Sequence, residues 1–312
     1  MRQLSPELEK WLEGFNELLN ELKESGFKQP PTNAREGLAN LTYNLVTEKP
    51  VVSWIQDDLV EGDGFDVPIR IYNPKPESDL PVLLYFHGGG HMAGSVTVYD
   101  PICRKIALAT NHIVVSVDYR LAPECPYPAG INDALTVVRN IWKTLDGRDV
   151  SCIRQLSIAG DSAGGSMCAT VSHMMQHDAE VNIKKQILIY PCLDYTLQSE
   201  SVSLNGEGYL LHKEKMEWYF DNYFKSGENR RELSPLHMEF SKNLPESLVI
   251  TAEFCPLRDD GFHYIRKLED VGVASRHLHF DNMIHAFINM ENLAKDQCTE
   301  VYRSMADFLK FH

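Results

Sequence analysis

The stretch GDSAGG, residues 160–165, joins a short β-rich run, QLSIA (155–159), to a helical run, SMCATVSHMM (166–175). In this strand–turn–helix context, a G-x-S-x-G pattern places its serine on a sharp turn and exposes the hydroxyl at the end of a sheet. The flanking glycines suit such a turn because they carry no side chain that would collide with it. The pattern therefore predicts that Ser162 is a nucleophile.

Outward from this turn, short β-rich runs alternate with longer helical patterns. The predicted strands are 51–56, 67–72, 82–86, 113–117, 155–159, 186–190, 248–251 and 277–280. The predicted helices lie near 97–109, 129–145, 163–177, 259–271 and 294–310. Almost continuously apolar strands, such as VLLYF (82–86), are typical of a sheet that is covered on both faces. We therefore predict an α/β protein with a mostly parallel eight-stranded sheet flanked by helices.

Two helical segments stand outside this alternation. The first begins at Ser5, a good capping residue, has an apolar stripe at 3- and 4-residue steps, and stops near Gly26. A weaker helical pattern continues to about residue 45. The aromatic-rich segment 196–231 interrupts the later alternation after a predicted strand. We predict one domain, 1–312, with a helical cap formed by about 1–45 and 196–231.

Composition limits the possible partners. Lys and Arg total 30 against 44 Asp and Glu, a net charge of −14, which repels nucleic acid and anionic membranes. No run approaches the roughly 20 apolar residues of a membrane span, and the first residues lack the apolar segment of a secretory signal. The seven cysteines are scattered and form no CxxC pair, which indicates thiols in a reducing cytoplasm. We expect a cytoplasmic protein that binds neither nucleic acid nor a membrane.

A second glycine-rich motif, HGGG (87–90), directly follows the strand VLLYF. Consecutive glycines let backbone N–H groups approach a substrate oxygen, as acyl transfer requires for its developing oxyanion. The N–H of Ala163, the residue after the nucleophile, completes such a site in this class of enzyme. His87 is interpreted as a residue that organises this loop, and Gly90 and Asp161 complete the two motifs.

The remaining catalytic element is a base. Of the 12 histidines, His285 is singled out by its context, NMIHAF (282–287), which follows the last predicted strand and precedes the C-terminal helix. The order nucleophile, acid, base along the chain is the one that this fold uses. His285 is therefore predicted to accept the proton of Ser162.

Taken together, the motifs resemble those of the hormone-sensitive-lipase-like, or family IV, esterases. The matching stretches are HGGG (87–90), DYRLAPE (118–124), YPA (127–129) with Asp133, GDSAGG (160–165), SPL (234–236), PLRDDG (256–261) and NMIHAF (282–287). The resemblance covers about residues 67–311. It implies an α/β-hydrolase fold, a cap over the pocket and hydrolysis of small carboxylic esters. It also implies no metal or organic cofactor, and members of the group are often homodimers.

Residue by residue, the resemblance implies Ser162 as nucleophile and His285 as base. It implies the N–H groups of Gly88, Gly89 and Ala163 as the oxyanion hole. The acyl pocket is expected to be lined partly by the cap, for which the aromatic candidates are Trp218, Tyr219 and Tyr223.

The chain departs from the family pattern at three positions. His91 replaces the aromatic residue that follows HGGG, and Ala286 replaces the glycine after the catalytic histidine. More important, Cys255 stands where the family has the triad aspartate. That acid normally accepts a hydrogen bond from the histidine Nδ1–H and stabilises the imidazolium, whereas a neutral thiol is a weak acceptor without charge.

Several interpretations of Cys255 stay open from the sequence. A nearby carboxylate, that of Glu253, Asp259 or Asp260, can replace it, although Asp259 looks structural. Alternatively, Cys255 orients His285 weakly. A Cys255–His285 nucleophile pair is disfavoured because the oxyanion donors converge on Ser162.

The resulting function is a serine carboxylesterase for short- to medium-chain acyl esters, with a small-molecule ester as its partner and an efficiency that depends on Cys255. One alternative is a catalytically weak ligand-binding pseudo-hydrolase, which the loss of the aspartate favours. Another is an N-acyl or amide hydrolase, which a weakened triad disfavours because amides are harder to cleave.

Overall fold

A single sheet of eight strands forms the centre of this computed structural model, which describes residues 2–310. The strands are β1 (Trp54–Val60), β2 (Val67–Asn73), β3 (Leu80–Phe86), β4 (Ile113–Val117), β5 (Cys152–Asp161), β6 (Ile183–Ile189), β7 (Glu246–Phe254) and β8 (Ser275–Ile284). Their order in the sheet is β1-β2-β4-β3-β5-β6-β7-β8. β2 pairs antiparallel with β1 and β4, and all other neighbours are parallel. Met1, Phe311 and His312, which the predicted domain includes, lie outside the described residues.

Helices fill the connections between the strands. They are α1 (Pro6–Glu24), α2 (Pro31–Leu45), α3 (Asp100–Thr110), α4 (Ala129–Asp146), α5 (Ala163–Met175), α6 (Glu200–Asn205), α7 (Lys213–Tyr223), α8 (Arg230–Leu233), α9 (Arg258–Asp270) and α10 (Lys295–Leu309). Short 3₁₀ helices cover Pro235–His237 and Phe287–Leu293. The predicted α/β-hydrolase fold, with its mostly parallel eight-stranded sheet, is confirmed.

The first strand differs most from its prediction. It begins at Trp54 and continues to Val60, whereas the apolar pattern placed it at 51–56. Val51 is 86% exposed. Within residues 2–310, β1 is an edge strand paired with β2, and the pairing runs from Trp54 opposite Asn73 to Val60 opposite Val67. Pairing with β2 therefore sets the limits of β1, which a hydrophobic pattern read along one segment cannot show.

The core has two layers because strand side chains alternate between the two faces of the sheet. In β3, Leu83 and Tyr85 point to the face covered by α3 and α10, where apolar residues of α1 also pack. Leu84 and Phe86 point to the opposite face, which α4, α5 and α9 cover. Both faces are buried beneath packed helices, which explains why the central strands are almost continuously apolar.

The first N-terminal helix contacts the segment that interrupts the alternation. α1 is capped by Ser5, whose Oγ accepts the N–H of Leu8. The side-chain amide of Asn16 donates to the carbonyl of Gly208 at 3.0 Å. No helix among the described residues is long and apolar enough to cross a membrane.

Topology brings the predicted site together at one edge of the sheet. HGGG follows β3, Ser162 follows β5, Cys255 follows β7, and His285 follows β8. The carboxyl ends of parallel strands meet at the same edge, where open α/β sheets generally bind their ligands.

Candidate active site

Ser162 occupies the tight turn between β5 and α5. Its backbone has φ 53° and ψ −118°, a left-handed conformation that a side-chain-bearing residue rarely adopts. Its N–H donates to the carbonyl of Ile189 at 2.8 Å. At Gly164, an added Cβ would overlap the carbonyl oxygen of Phe86, so the turn packs directly against the end of β3. These contacts hold the Ser162 side chain at the edge of the sheet.

His285 lies beside Ser162, as predicted. Its Nε2 is 2.9 Å from Ser162 Oγ, within hydrogen-bond distance for proton transfer. The imidazole is buried, with the ring edge of Tyr190 against it at 4.7 Å between centroids. Burial lowers the pKa of His285 to about 3. The imidazole is therefore neutral at ordinary pH, which is the form that can accept a proton.

Cys255 lies on the Nδ1 side of the His285 ring. Its Sγ is 3.1 Å from His285 Nδ1 and accepts the backbone N–H of Leu257 at 3.3 Å. The side chain is fully buried, and burial raises the pKa of the Cys255 thiol well above its ordinary value. The group that faces Nδ1 is thus a protonated, uncharged thiol.

The carboxylate of Glu253 is directed elsewhere. It pairs with Arg2 at 2.6 Å, with Arg258 at 2.8 Å and with His279 at 3.3 Å. Arg2 precedes α1, Arg258 begins α9, and His279 lies on β8. The structure therefore places Glu253 in a surface ion-pair network and not at His285.

The two aspartates that follow in the sequence are also engaged away from His285. Asp259 accepts the N–H of Ser201 at 2.8 Å. Asp260 is buried and accepts two backbone N–H groups from 193–194, each at 3.0 Å. Both aspartates thus hold the loop after β6. Of the acid-position candidates, only Cys255 contacts the His285 ring.

The glycine loop corrects one expectation. The N–H of Gly88, predicted as an oxyanion donor, donates to Asp161 Oδ1 at 2.8 Å and is not available to a substrate. Within residues 2–310, the N–H groups of Gly89 and Gly90 have no acceptor. Ala163 is the first residue of α5, so its N–H has no partner within the helix. Of the N–H groups in the two glycine motifs, those of Gly89, Gly90 and Ala163 are therefore not engaged in this way.

Asp161 links the two glycine motifs. Besides the N–H of Gly88, its carboxylate accepts the hydroxyls of Tyr85 and Tyr99, each at 2.9 Å. Burial raises the pKa of Asp161 to about 6, although these three donors favour the charged form. The sequence analysis did not identify these two tyrosines. The only hint that the sequence offers is a hydroxyl-bearing side chain at a position where the pattern predicts an apolar core residue.

His87, interpreted from the sequence as a residue that organises this loop, packs against it. Its ring is stacked on Tyr119 at 4.4 Å between centroids, and its Nδ1 lies 2.9 Å from the carbonyl of Gly88. The hydroxyl of Tyr119 donates to the carbonyl of His87 at 2.7 Å. Burial lowers the pKa of His87, so the ring is neutral.

Three aromatic residues of α7 were candidates for the pocket wall. A Cβ built on Gly90 would lie 2.7 Å from the ring of Tyr219, so this ring covers the glycine loop. Trp218 packs against Tyr219 at 5.3 Å between centroids. Tyr223 is buried and stacks on His91, which moves it into the core. Of the three, Tyr219 covers Gly90 and Tyr223 contacts the next residue of the loop, His91, whereas Trp218 packs against Tyr219.

Metal-type ligands are dispersed. Residues 2–310 contain no group of three or more His, Cys, Asp or Glu placed to hold a metal ion. All seven cysteines, which lie within that range, are free thiols. His277 and His279 on β8 both contact the hydroxyl of Thr251, at 2.8 and 2.9 Å.

Comparison with known proteins places this geometry in context. Residues 83–289 match the model of a family described by the alpha/beta hydrolase fold. An ethyl acetate hydrolase of Pseudomonas putida is 32% identical over 245 residues, which are 76% of this chain and 76% of that protein. A carboxylesterase, NlhH, of Mycobacterium tuberculosis is 35% identical over 245 residues, covering 75% of this chain and 76% of that protein.

Solved structures agree with these relatives. A hyperthermophilic esterase from the archaeon Pyrobaculum calidifontis superimposes with a TM-score of 0.86 at 30% identity, covering 98% of this chain and 99% of that one. An ester hydrolase from the metagenome of Lake Arreo, complexed with a bipyridine phosphonate derivative, gives a TM-score of 0.88 at 30% identity, with 98% of each chain covered. The comparisons therefore confirm the resemblance drawn from the motifs, both in the α/β-hydrolase fold and in the similarity to esterases.

Proposed function

The chain belongs to the α/β-hydrolase fold family and is a carboxylic ester hydrolase, and from this premise we propose that Ser162, His285 and Cys255 carry out its reaction. The observation that carries this proposal is the 2.9 Å contact between Ser162 Oγ and a neutral His285 Nε2. A nucleophile within hydrogen-bond reach of a base is the arrangement that acyl transfer needs.

The first half-reaction acylates the serine. Ser162 Oγ attacks the ester carbonyl while its proton passes to His285 Nε2. The carbonyl π pair moves to oxygen, and the oxyanion is stabilised by the N–H groups of Gly89, Gly90 and Ala163. The C–O bond to the alcohol then breaks, and His285 returns the proton to the leaving alkoxide.

The second half-reaction releases the acid. Water attacks the acyl carbonyl while His285 Nε2 takes a proton from it, and the same three N–H groups hold the second oxyanion. Ser162 leaves and recovers its proton from His285.

In this proposal, Cys255 orients the base without charging it. The imidazole accepts at Nε2 only if its proton is on Nδ1, and from there it donates to Cys255 Sγ. A thiol is a weaker acceptor than a carboxylate and adds no charge to stabilise the imidazolium. We therefore expect an active esterase that is slower than one with aspartate at this position.

The proposed substrates are short- to medium-chain acyl esters. This size is supported by the Tyr219 ring, which lies directly on Gly90 beside the oxyanion donors. The similarity to an ethyl acetate hydrolase favours the same range. The cap is proposed to consist of 2–45 and 196–231, since α1 contacts the second of these segments through Asn16 and Gly208.

Two further proposals concern the protein in its cell. The seven free thiols support a reducing compartment such as the cytoplasm. A homodimer is proposed from the family resemblance, and sedimentation equilibrium of the purified chain tests it.

Hydrolysis of p-nitrophenyl acetate and butyrate by the wild type and Ser162→Ala tests the central proposal. We expect Ser162-dependent turnover and stoichiometric labelling of the wild type, but not of Ser162→Ala, by an activated phosphonate ester. Labelling without turnover would favour the ligand-binding pseudo-hydrolase. Faster cleavage of p-nitroacetanilide than of the ester would favour the amide hydrolase. Equal activity in Ser162→Ala would refute the assignment of the nucleophile.

A further inference from the structure

Four consecutive residues of the glycine loop, 89–92, are held by helices from both proposed cap segments. On one side, the carbonyl of Met92 accepts the Nε–H of Arg35, which belongs to α2, at 2.9 Å. On the other side, the ring of Tyr219 in α7 covers Gly90. The loop that carries two oxyanion donors is therefore enclosed by the cap and does not stand free in solvent.

His91 makes the most specific of these contacts. Its ring stacks on Tyr223, with centroids 4.0 Å apart and planes 5° from parallel. Its Nε2 lies 3.2 Å from the hydroxyl of Tyr195. The residue is 3% exposed and has φ 61°. A side-chain-bearing residue keeps this left-handed backbone only where the surrounding structure enforces it.

We propose that His91 is a positioning residue that holds the N–H groups of Gly89 and Gly90 where the oxyanion forms. This inference rests on the proposed ester hydrolysis and assigns a role within it. In this proposal, the stacking and the hydrogen bond of the His91 side chain fix the orientation of the two peptide groups that precede it. They act together with the backbone hydrogen bonds that the carbonyl of Gly89 accepts from Met92 and Ala93. His91 contacts no reacting atom and acts only through those N–H groups.

The contacts of the His91 side chain with Tyr223 and Tyr195 should not change over the ordinary pH range. Burial lowers the pKa of His91 to about 3, so the ring stays neutral and its stacking and hydrogen bond persist. Its effect should appear in the transition state, because the donors matter most once the carbonyl oxygen carries charge. Loss of the anchor should therefore lower kcat much more than it changes KM.

A purely structural role predicts a different result, and the chain contains a matched control. His173 in α5 is also buried, packs edge-on against Phe240 at 4.7 Å between centroids, and has Nε2 3.2 Å from the hydroxyl of Tyr264. It lies toward the far end of the helix that begins at Ala163. His173→Ala should reduce stability without changing the oxyanion site.

The experiment compares the wild type with five variants, His91→Ala, His91→Phe, Tyr195→Phe, His173→Ala and Ser162→Ala. It measures kcat and KM for p-nitrophenyl acetate and the affinity for a small trifluoromethyl ketone. The ketone forms a bond with Ser162 Oγ, its π pair becomes an oxyanion, and the Oγ proton passes to His285. Its affinity therefore depends on the donor positions, whereas thermal unfolding reports stability alone.

We expect His91→Ala to lower kcat and the affinity for the ketone by the same factor, about 10- to 100-fold, with KM within about threefold of the wild type. His91→Phe keeps the stacking and should lose less, and His173→Ala should match the wild type in both measurements. Unchanged ketone affinity in a folded His91→Ala would overturn the inference.

Should His91→Ala fail to fold, Tyr195→Phe decides the question, because it removes only the hydroxyl that contacts His91. A loss of about three- to tenfold in ketone affinity supports the inference, and no loss overturns it. Turnover that does not depend on Ser162 would instead refute the proposed function, and this inference with it. The two failures are therefore distinguishable in one set of measurements.

Discussion

The nucleophile turn after β5 and the acid position after β7 lie at the same edge of the sheet, yet they are built differently. The turn around Ser162 is made by the backbone: close contact at Gly164, a strained φ of 53° and N–H donors from two loops. The acid position depends on one side chain, that of Cys255. A part made by the backbone is tied to the fold, whereas a part made by one side chain can change while the fold stays intact.

The largest effect should come from disturbing the backbone-built part. Gly164→Ala places a Cβ on the carbonyl oxygen of Phe86. We expect a loss of about 3 kcal/mol in the free energy of unfolding and almost complete loss of activity. Gly14→Ala in α1 is the control, because a Cβ there meets nothing within 4 Å. Urea unfolding measures the stability of the two variants, and turnover of p-nitrophenyl butyrate measures their activity. A Gly164→Ala variant as stable and active as the wild type would show that the turn does not depend on this backbone contact.

Changing the side chain at the acid position, Cys255, should raise activity instead of lowering it. Cys255→Asp restores a charged acceptor for His285 Nδ1, and we expect kcat to rise about 10²-fold, part of the roughly 10⁴-fold effect of a triad acid in a serine protease. Cys255→Ala should change kcat much less. If Cys255→Asp is no faster than the wild type and equally stable, a neutral third group is sufficient here.

The pH profile sharpens the same comparison. His285 works as a base only when neutral, and burial lowers its pKa to about 3. We therefore expect kcat/KM of the wild type to stay level from neutral pH down to about pH 4. In Cys255→Asp the carboxylate raises the pKa of His285, so activity should fall with acidification nearer the ordinary imidazole value of about 6.5. If kcat/KM falls at the same acidic pH in both proteins, the residue at position 255 does not control the pKa of His285.

The smallest effect concerns the cap. Tyr219→Ala removes the ring that covers Gly90, and we expect the ratio of kcat/KM for p-nitrophenyl hexanoate over acetate to rise by about fourfold, the equivalent of one newly buried methylene. Trp218→Ala removes a ring that packs against Tyr219 and is not shown to cover Gly90, so it is the control and should shift this ratio less. A ratio that stays constant in both variants would exclude the ring as the limit on acyl length.

Sequence patterns predicted the strands, the order of the motifs and the meeting of Ser162 with His285, since these follow from local periodicity and from the topology of a parallel sheet. The pattern did not show that the N–H of Gly88 is already used. That depends on Asp161, 73 residues later in the chain, whose carboxylate competes with a substrate oxygen. The partner of His91 was missed for the same reason, because Tyr195 is 104 residues away. Contacts of this kind follow from the packed fold and have no local signature.

The contact between His285 and an uncharged Cys255 also determines how long each state of the enzyme lasts. A nitrophenolate leaves without being protonated, so in the proposed acylation by an activated ester His285 has only to take the Ser162 proton and does not have to return it to the leaving group. In the proposed second half-reaction, His285 must activate water to release the acid. The absence of a carboxylate at position 255 should therefore slow this step most. With activated esters, the acyl-enzyme should therefore accumulate, as an initial burst of nitrophenol and an added acetyl mass on the intact chain.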